Sequence, residues 1–362
     1  MKRINVVHMT KNLAANGITN VVLNYCIKLD SEKYNFTIMC GSPVEDIYRN
    51  VCTENNIQII ELPNKNKSSK EYYLSIWRNL SKKKYDIVHV HGNSATMTME
   101  LLFAKLKGIN VRVAHSHNST CDNLKIHKLL SPIMKRLYTK GFACSNIAGK
   151  WLFGDSLYDV LPNGFDVEKF LFNVELRNRL RKQLSLEDKY VVGCVARFND
   201  QKNHPFLLDI FNEIAKEKND AVLLLVGNGP KLDEILALIN KHPYKDRIIY
   251  YGITDKVYEL YSAMDVFLLP TKYEGLGIVF IEAQINGLPC VTSDQVPEEV
   301  DFGGRVKFLS LDSEKEKWAI ETISTMQIDR TKVFEQYNEQ INNYDIKSSS
   351  KILDEYYEGA IR

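Results

Sequence analysis

One stretch, Thr271 to Asp294, has residue types and spacing suited to holding a phosphorylated ligand. It reads TKYEGLGIVFIEAQINGLPCVTSD. Glu274, Gly275 and Gly277 stand in a turn after the apolar run Val266 to Leu269. The pattern predicts a helix from about Ile278 to Asn286, closed by Gly287 and barred from continuing by Pro289. Cys290 to Ser293 then begins another strand. Strand, glycine loop, helix and strand in that order make one unit of a parallel α/β sheet. Such sheets bind ligands beyond the carboxyl ends of their strands. A glycine loop opening a helix there leaves N–H groups and a positive dipole end free for an anion. Glu282 follows Glu274 with seven residues between them. One carboxylate can face a ligand's reacting end while the other reaches a hydroxyl about a sugar's length away. Taken singly, each acid would also suit a solvated helix.

Cations of the right placement occur earlier. In the run Val195 to His204, Arg197 ends a strand pattern and Lys202 stands just before the next helix pattern. Both can face the same crevice as the helix start near Gly277. Two H-x-H pairs, His89/His91 and His115/His117, close two strands of the first half. Residues i and i+2 of a strand share a face, so either pair alone could supply two zinc ligands. No cysteine or carboxylate cluster adjoins them in sequence, so a core role is favoured for His89 and no metal site is expected. After the first strand the loop Asn12 to Thr19 lacks G-x-G-x-x-G, which disfavours a nicotinamide-dinucleotide enzyme.

The elements that must carry these residues alternate along the whole chain. Strands are expected near Ile4–His8, Phe36–Cys40, Ile57–Leu62, Ile87–His91, Val111–Ala114 and Phe142–Cys144. After the turn at Asn163–Asp166 a polar helix runs from about Val174 to Leu184. Strands resume at Tyr190–Ala196, Ala221–Val226, Ile248–Tyr251, Val266–Leu269 and Cys290–Thr292. Strand–helix alternation is the mark of doubly wound sheets. A length of 362 residues accommodates two such domains. A net charge of +2 excludes a strong global pull toward nucleic acid. No apolar run approaches the roughly 18 residues of a membrane span. Seven scattered cysteines without a C-x2-C pair suggest reduced core thiols and a cytoplasmic protein. Residues 123–140, NLKIHKLLSPIMKRLYTK, form a basic amphipathic segment interrupted by Pro132. It suits an ordinary surface helix or one resting on anionic lipid, where each basic residue contributes about 1 kcal/mol.

Several of these stretches together resemble the retaining GT-B glycosyltransferases of family 4, the group 1 transferases. EGLGIVFIEAQINGLPCVTSD is similar to the version found in capsule and exopolysaccharide enzymes. RVAHSHN, FACS with WLFG, LPNGFD, the stretch from Arg197 to Lys202, and LVGNGP resemble further stretches of the same group. Two departures show. Asn16 stands where the family's first loop usually has Gly, beside Gly17, and Gly277 stands where Pro is usual, which should loosen that loop.

The resemblance implies an α/β GT-B fold, with two Rossmann-like domains facing across a cleft and a C-terminal helix crossing back to the first. Boundaries are expected at 1–165, plus a helix at about 345–362, and at 166–344. It also implies a nucleoside-diphosphate sugar donor, most simply UDP-linked, no cofactor, no required metal, and a lipid-linked saccharide acceptor. Arg197 and Lys202 would neutralise the donor diphosphate. Glu274 would approach the donor sugar and Glu282 the ribose. His117 would lie over the sugar. Asn16, Gly17, Gly227, Asn228, Gly229, Gly275, Leu276, Gly277 and Ile278 would line the donor. A peripheral position on the inner membrane face would fit segment 123–140. The alternatives are a GT-B UDP-sugar 2-epimerase, and a binding module that lost activity through Asn16 and Gly277.

Overall fold

Strands buried on both faces read as continuous apolar runs, and Ala221–Val226, with all six residues buried, is such a strand. The computed structural model describes residues 3–14, 17–121, 123–325 and 329–361. The chain divides into one unit of Met1–Phe165 with Asn343–Arg362, and a second of Asp166–Asn342.

The first unit carries β1 (Ile4–Thr10), β2 (Tyr34–Gly41), β3 (Gln58–Leu62), β4 (Ile87–Gly92), β5 (Val111–Ser116), β6 (Lys140–Ala143) and β7 (Asp159–Val160). They pair in parallel in the order β3-β2-β1-β4-β5-β6-β7. The second carries β8 (Tyr190–Val195), β9 (Ala221–Val226), β10 (Ile248–Gly252), β11 (Val266–Leu269), β12 (Cys290–Ser293) and β13 (Val306–Leu309), ordered β10-β9-β8-β11-β12-β13 and again parallel. Each is a Rossmann-like parallel sheet, as expected. The order reverses between β1 and β4 in one and between β8 and β11 in the other, and helices leaving opposite faces open a crevice at such a point.

Two strands were not expected. β7 is two exposed residues, and β13 is a short edge strand with an exposed lysine at Lys307, so neither has a strong apolar signal. The first helix spans Gly17–Lys28 rather than starting at Asn20. Thr19 explains the shift, because its buried hydroxyl accepts the Ala14 N–H at 3.3 Å and fixes the chain just before the helix. Gly17 is therefore a helix residue, and Asn16 lies outside the described residues. Pro132 does not interrupt its helix, which runs Leu124–Met134. The missing N–H costs one bond near the end, where the carbonyl of exposed Lys128 can turn to water.

The last helix, Ile346–Ile361, belongs to the first unit. Its Ile346 N–H donates to the Phe165 carbonyl at 2.9 Å, and Ser349 Oγ donates to the Pro162 carbonyl at 3.0 Å. Farther along, the Tyr34 hydroxyl meets Asp354 at 2.6 Å.

Candidate functional site

In the second unit the residues of interest leave the ends of β8, β9 and β11. Beyond β8 the chain is zipped to the loop after β9. Ala196 N–H donates to the Val226 carbonyl at 3.0 Å, and Phe198 N–H to the Asn228 carbonyl at 2.9 Å. Gly227 permits this approach, since its φ is 136° and a Cβ there would stand 2.0 Å from the Ala196 oxygen. Between these anchors Arg197 is exposed and makes no hydrogen bond or ion pair among the described residues. Asn228 is also exposed, and its side-chain oxygen accepts the Gly229 N–H at 2.6 Å.

The loop after β11 is tied to the loop after β8. Buried Thr271 donates through Oγ1 to the Gln201 carbonyl at 3.1 Å, and Lys272 N–H donates to the same oxygen at 2.8 Å. That tie brings Lys202 Nζ to 2.5 Å from Glu274 Oε1, with the side chains only 15% and 8% exposed. Gln201 Nε2 donates to Glu274 Oε2 at 3.3 Å and to the Tyr273 carbonyl at 2.8 Å. Asn199 Oδ1 receives the Lys202 N–H at 3.1 Å. An ammonium carries three donors, so with one on Glu274 two remain for an anion.

Gly277 precedes the helix Ile278–Ile285 with φ 85° and ψ 56°. Proline, locked near −65°, could not take that conformation. The position expected to loosen the loop has instead a defined left-handed turn, which only glycine enters without strain. Gly275 and Leu276 are buried behind it, while Ile278 is half-buried. Farther along the helix, half-buried Glu282 accepts from the Tyr261 hydroxyl at 2.7 Å. Burial pushes its pKa up to about 7, against the smaller opposing effect of that hydrogen bond. The helix closes as the sequence predicts, with Gly287 N–H on Gln284 and Leu288 N–H on Ala283, both at 2.9 Å.

The first unit gathers five of the chain's eight histidines at the switch point. Register sets His8 of β1 opposite His89 of β4, and His91 opposite His115 of β5. His117, one residue past β5, stacks on His115 at 4.1 Å between ring centres. Their nitrogens form a chain in which His8 Nδ1 meets His91 Nε2 at 2.9 Å and His91 Nδ1 meets His117 Nε2 at 2.9 Å. His117 Nδ1 then meets Asn163 Oδ1 at 3.3 Å. A second, separate chain links His115 Nδ1 to His89 Nε2 at 3.1 Å and His89 Nδ1 to the Tyr357 hydroxyl at 2.6 Å. Burial lowers the pKa of His8 to about 3 and of His117 to about 4, and drives the other three well below the usual range. All five are neutral imidazoles at physiological pH.

Thus Lys202 and Glu274 meet directly, with Arg197, Gly227, Asn228 and Gly229 on neighbouring strand ends, Gly275 to Ile278 in the Glu274 loop, and Glu282 on the helix. His117 and Gly17 lie in the other unit. Gln201, Tyr261 and Asn163 were not singled out in advance. Gln201 adjoins Lys202 and carried a signal by proximity, whereas Tyr261 is known only from its contact with Glu282.

The chain is similar to known proteins over most of its length. Residues 177–302 match the family described as glycosyl transferases group 1, and residues 15–169 match glycosyltransferase family 4. EpsF of Bacillus subtilis (strain 168), provisionally named a glycosyltransferase, is 32% identical over 335 residues, covering 88% of this chain and 86% of its own. The Escherichia coli UDP-Gal:alpha-D-GlcNAc-diphosphoundecaprenol alpha-1,3-galactosyltransferase is 28% identical, covering 81% and 80%. The crystal structure of Anabaena HepE with UDP and glucose superposes with a TM-score of 0.80 at 16% identity, over 99% of this chain and all of the other.

Proposed function

The chain belongs to the group 1 glycosyltransferases of family 4 and is a hexosyltransferase, and from that premise we propose a donor, an acceptor and a stereochemical course. The donor is a nucleoside-diphosphate hexose or N-acetylhexosamine, UDP-linked. The acceptor is a lipid-linked saccharide of capsule or exopolysaccharide assembly, and the new bond retains the donor's anomeric configuration. The observation that carries the reading is the Lys202–Glu274 pair at the carboxyl ends of β8 and β11. It sets a cation with spare donors and a carboxylate side by side at the switch point of a parallel sheet. A diphosphate needs the first and sugar hydroxyls suit the second.

The likeness to the Escherichia coli galactosyltransferase, whose name specifies a UDP-sugar and a diphosphoundecaprenol-linked acceptor, supports both substrate classes. In this reading Arg197 and Lys202 neutralise the diphosphate as its charge develops, through charge-assisted bonds. The bond from the anomeric carbon to the diphosphate oxygen breaks, the acceptor oxygen bonds to that carbon from the same face, and its proton passes to the diphosphate. Two protein cations at the leaving group make a metal unnecessary there. Glu282 holds the ribose. His117 already has both nitrogens engaged, so it meets a sugar hydroxyl by giving up the 3.3 Å bond to Asn163, the longest in its chain.

Among the described residues no helix is long and apolar enough to cross a membrane. The helix Leu124–Met134 turns Leu124, Ile126, Leu129 and Ile133 outward beside exposed Lys125 and Lys128, while His127 and Met134 face inward. We assign it to a peripheral contact with anionic lipid at the inner face of the membrane. The test is a thermal-shift panel of UDP-, GDP-, ADP- and dTDP-sugars, since native-state ligands raise Tm by mass action. A rise with a UDP-sugar alone supports the donor class, and a rise confined to another nucleotide overturns it.

A further inference from the structure

The histidine cluster shares only His117 with the proposed sugar transfer, and three of its members converge on one point. The nitrogens of His91, His115 and His117 lie within 4.8 Å of one another, one from each residue. We propose that these three hold a single divalent transition-metal ion of borderline softness, Zn2+ or a cation of its class. The assignment shares His117 with the proposed donor site, where an ion on Nε2 would leave Nδ1 to Asn163 or a sugar hydroxyl, and the diphosphate cations Arg197 and Lys202 stand in the other unit.

Four features support it. The first is rigidity. His91 and His115 sit on paired strands β4 and β5 at matched register, and His117 follows directly, with its N–H bonded to the Gly92 carbonyl at 3.0 Å. The second is fit. Two nitrogens bound tetrahedrally at about 2.0–2.1 Å from zinc stand about 3.3 Å apart. His91 Nδ1 and His117 Nε2 already stand at 2.9 Å, so a metal there asks the rings to part by a few tenths of an ångström and to turn their lone pairs from each other toward a common point beside that line.

The third feature is the outer shell. A ligating imidazole is normally oriented by a partner on its other nitrogen. His91 has His8 at 2.9 Å and His117 has Asn163 at 3.3 Å. His115 has His89 at 3.1 Å on Nδ1, while its buried Nε2 makes no hydrogen bond, the Leu161 carbonyl lying near the ring without reaching bonding geometry. The fourth is proton balance. With Asn163 presenting its oxygen, His117, His91 and His8 each carry hydrogen on Nδ1. Freeing His91 Nδ1 for a metal moves its proton to Nε2, where it faces His8. The His8 proton moves in turn to its own Nε2, an atom with no hydrogen-bond partner. No proton is gained or lost, and the ligands stay neutral. His117 is half-buried, unlike the other two, and gives the ion a way in.

Reading strand pairs along the sequence could not find this site, because it needs ligands from two strands and oriented partners from two more segments. The experiment uses the full chain without a polyhistidine tag, titrated with Co2+ as a spectroscopic probe and with Zn2+ in competition. One equivalent of Co2+ should give the intense visible bands of a tetrahedral site, and Zn2+ should abolish them. Loss of the bands in both His91→Gln and His117→Gln, but not in His242→Gln, supports the assignment. Bands unchanged in either cluster variant, or no saturable binding by the wild-type chain, overturn it. Should the variants fail to fold, X-ray absorption of the zinc-loaded wild-type chain decides: three imidazoles in the first shell support the site, and fewer than three reject it.

Discussion

The two switch points of this molecule occupy equivalent places in their sheets and have opposite chemistry. Where β8 and β11 part, the chain sets an ammonium 2.5 Å from a carboxylate, with the exposed guanidinium of Arg197, unpartnered among the described residues, on the same strand end. Where β1 and β4 part, it sets five imidazoles, all kept neutral by burial. The first arrangement is poised for a charged ligand and gains little from being left empty. The second satisfies most of its own nitrogens and serves the packing of its unit even with no ligand. Side chains in the second unit should therefore govern rate and affinity, and those in the first, His117 apart, should govern stability.

The sharpest way to break that division is Lys202→Ala. Removing one donor aimed at developing charge lowers turnover by about 10²–10³-fold. Gln201 still donates to Glu274, so the melting temperature should fall by only a few degrees. Equal turnover in this variant would show the diphosphate contact to be misplaced. Next in size is Glu282→Ala, which removes a charged acceptor worth about 1.5–3 kcal/mol, so UDP affinity should drop by about ten- to a hundredfold. Calorimetric titration with UDP checks this, and unchanged affinity removes the ribose role.

How far the sequence could be read follows the same division. Glu274, Gly277 and Glu282 lie within nine residues of chain, and one strand–loop–helix unit fixes their relation, so residue spacing carried the geometry. The last helix and its membership of the first unit were also legible, through the resemblance. The histidine cluster was not. His8, His89 and His115 are far apart in the chain, and the register that aligns them depends on sheet order, which spacing does not encode. Gly277 was misjudged for a different reason: a residue's name does not show its φ, and the family's usual proline implies a backbone this chain does not adopt.

In the first unit, Tyr357→Phe tests the stability side of the comparison. Its hydroxyl joins the last helix to His89 at 2.6 Å, and both residues are fully buried. Removing it strands His89 Nδ1, which costs about 1–2 kcal/mol. A urea melt should show the lower midpoint, with kcat on a UDP-sugar within about twofold of wild type. A large loss of kcat without loss of stability would make the cluster part of the chemistry and erase the contrast.

Glu282→Gln is the smallest expected effect and the one whose sign is most telling. Burial raises the folded-state pKa of Glu282 from 4.5 to about 7. Below 4.5 the carboxyl is protonated in both folded and unfolded chains, and ionisation costs nothing. Between these values the folded chain holds a proton that the unfolded chain has released, so stability falls as pH rises through this window. Above about 7 the full penalty of a charged, half-buried carboxylate is present. Glutamine keeps an oxygen for the Tyr261 hydroxyl and carries no charge. The variant should match wild type near pH 4.5 and exceed it by on the order of 1 kcal/mol at pH 8, discounted for partial exposure. Denaturant melts at the two pH values read the difference directly. A carboxylate kept at that cost, in a position where glutamine would be more stable, is what a site selected for binding rather than for stability should contain. A variant no more stable at pH 8 than wild type would place Glu282 among ordinary solvated acids and separate it from the charged switch point.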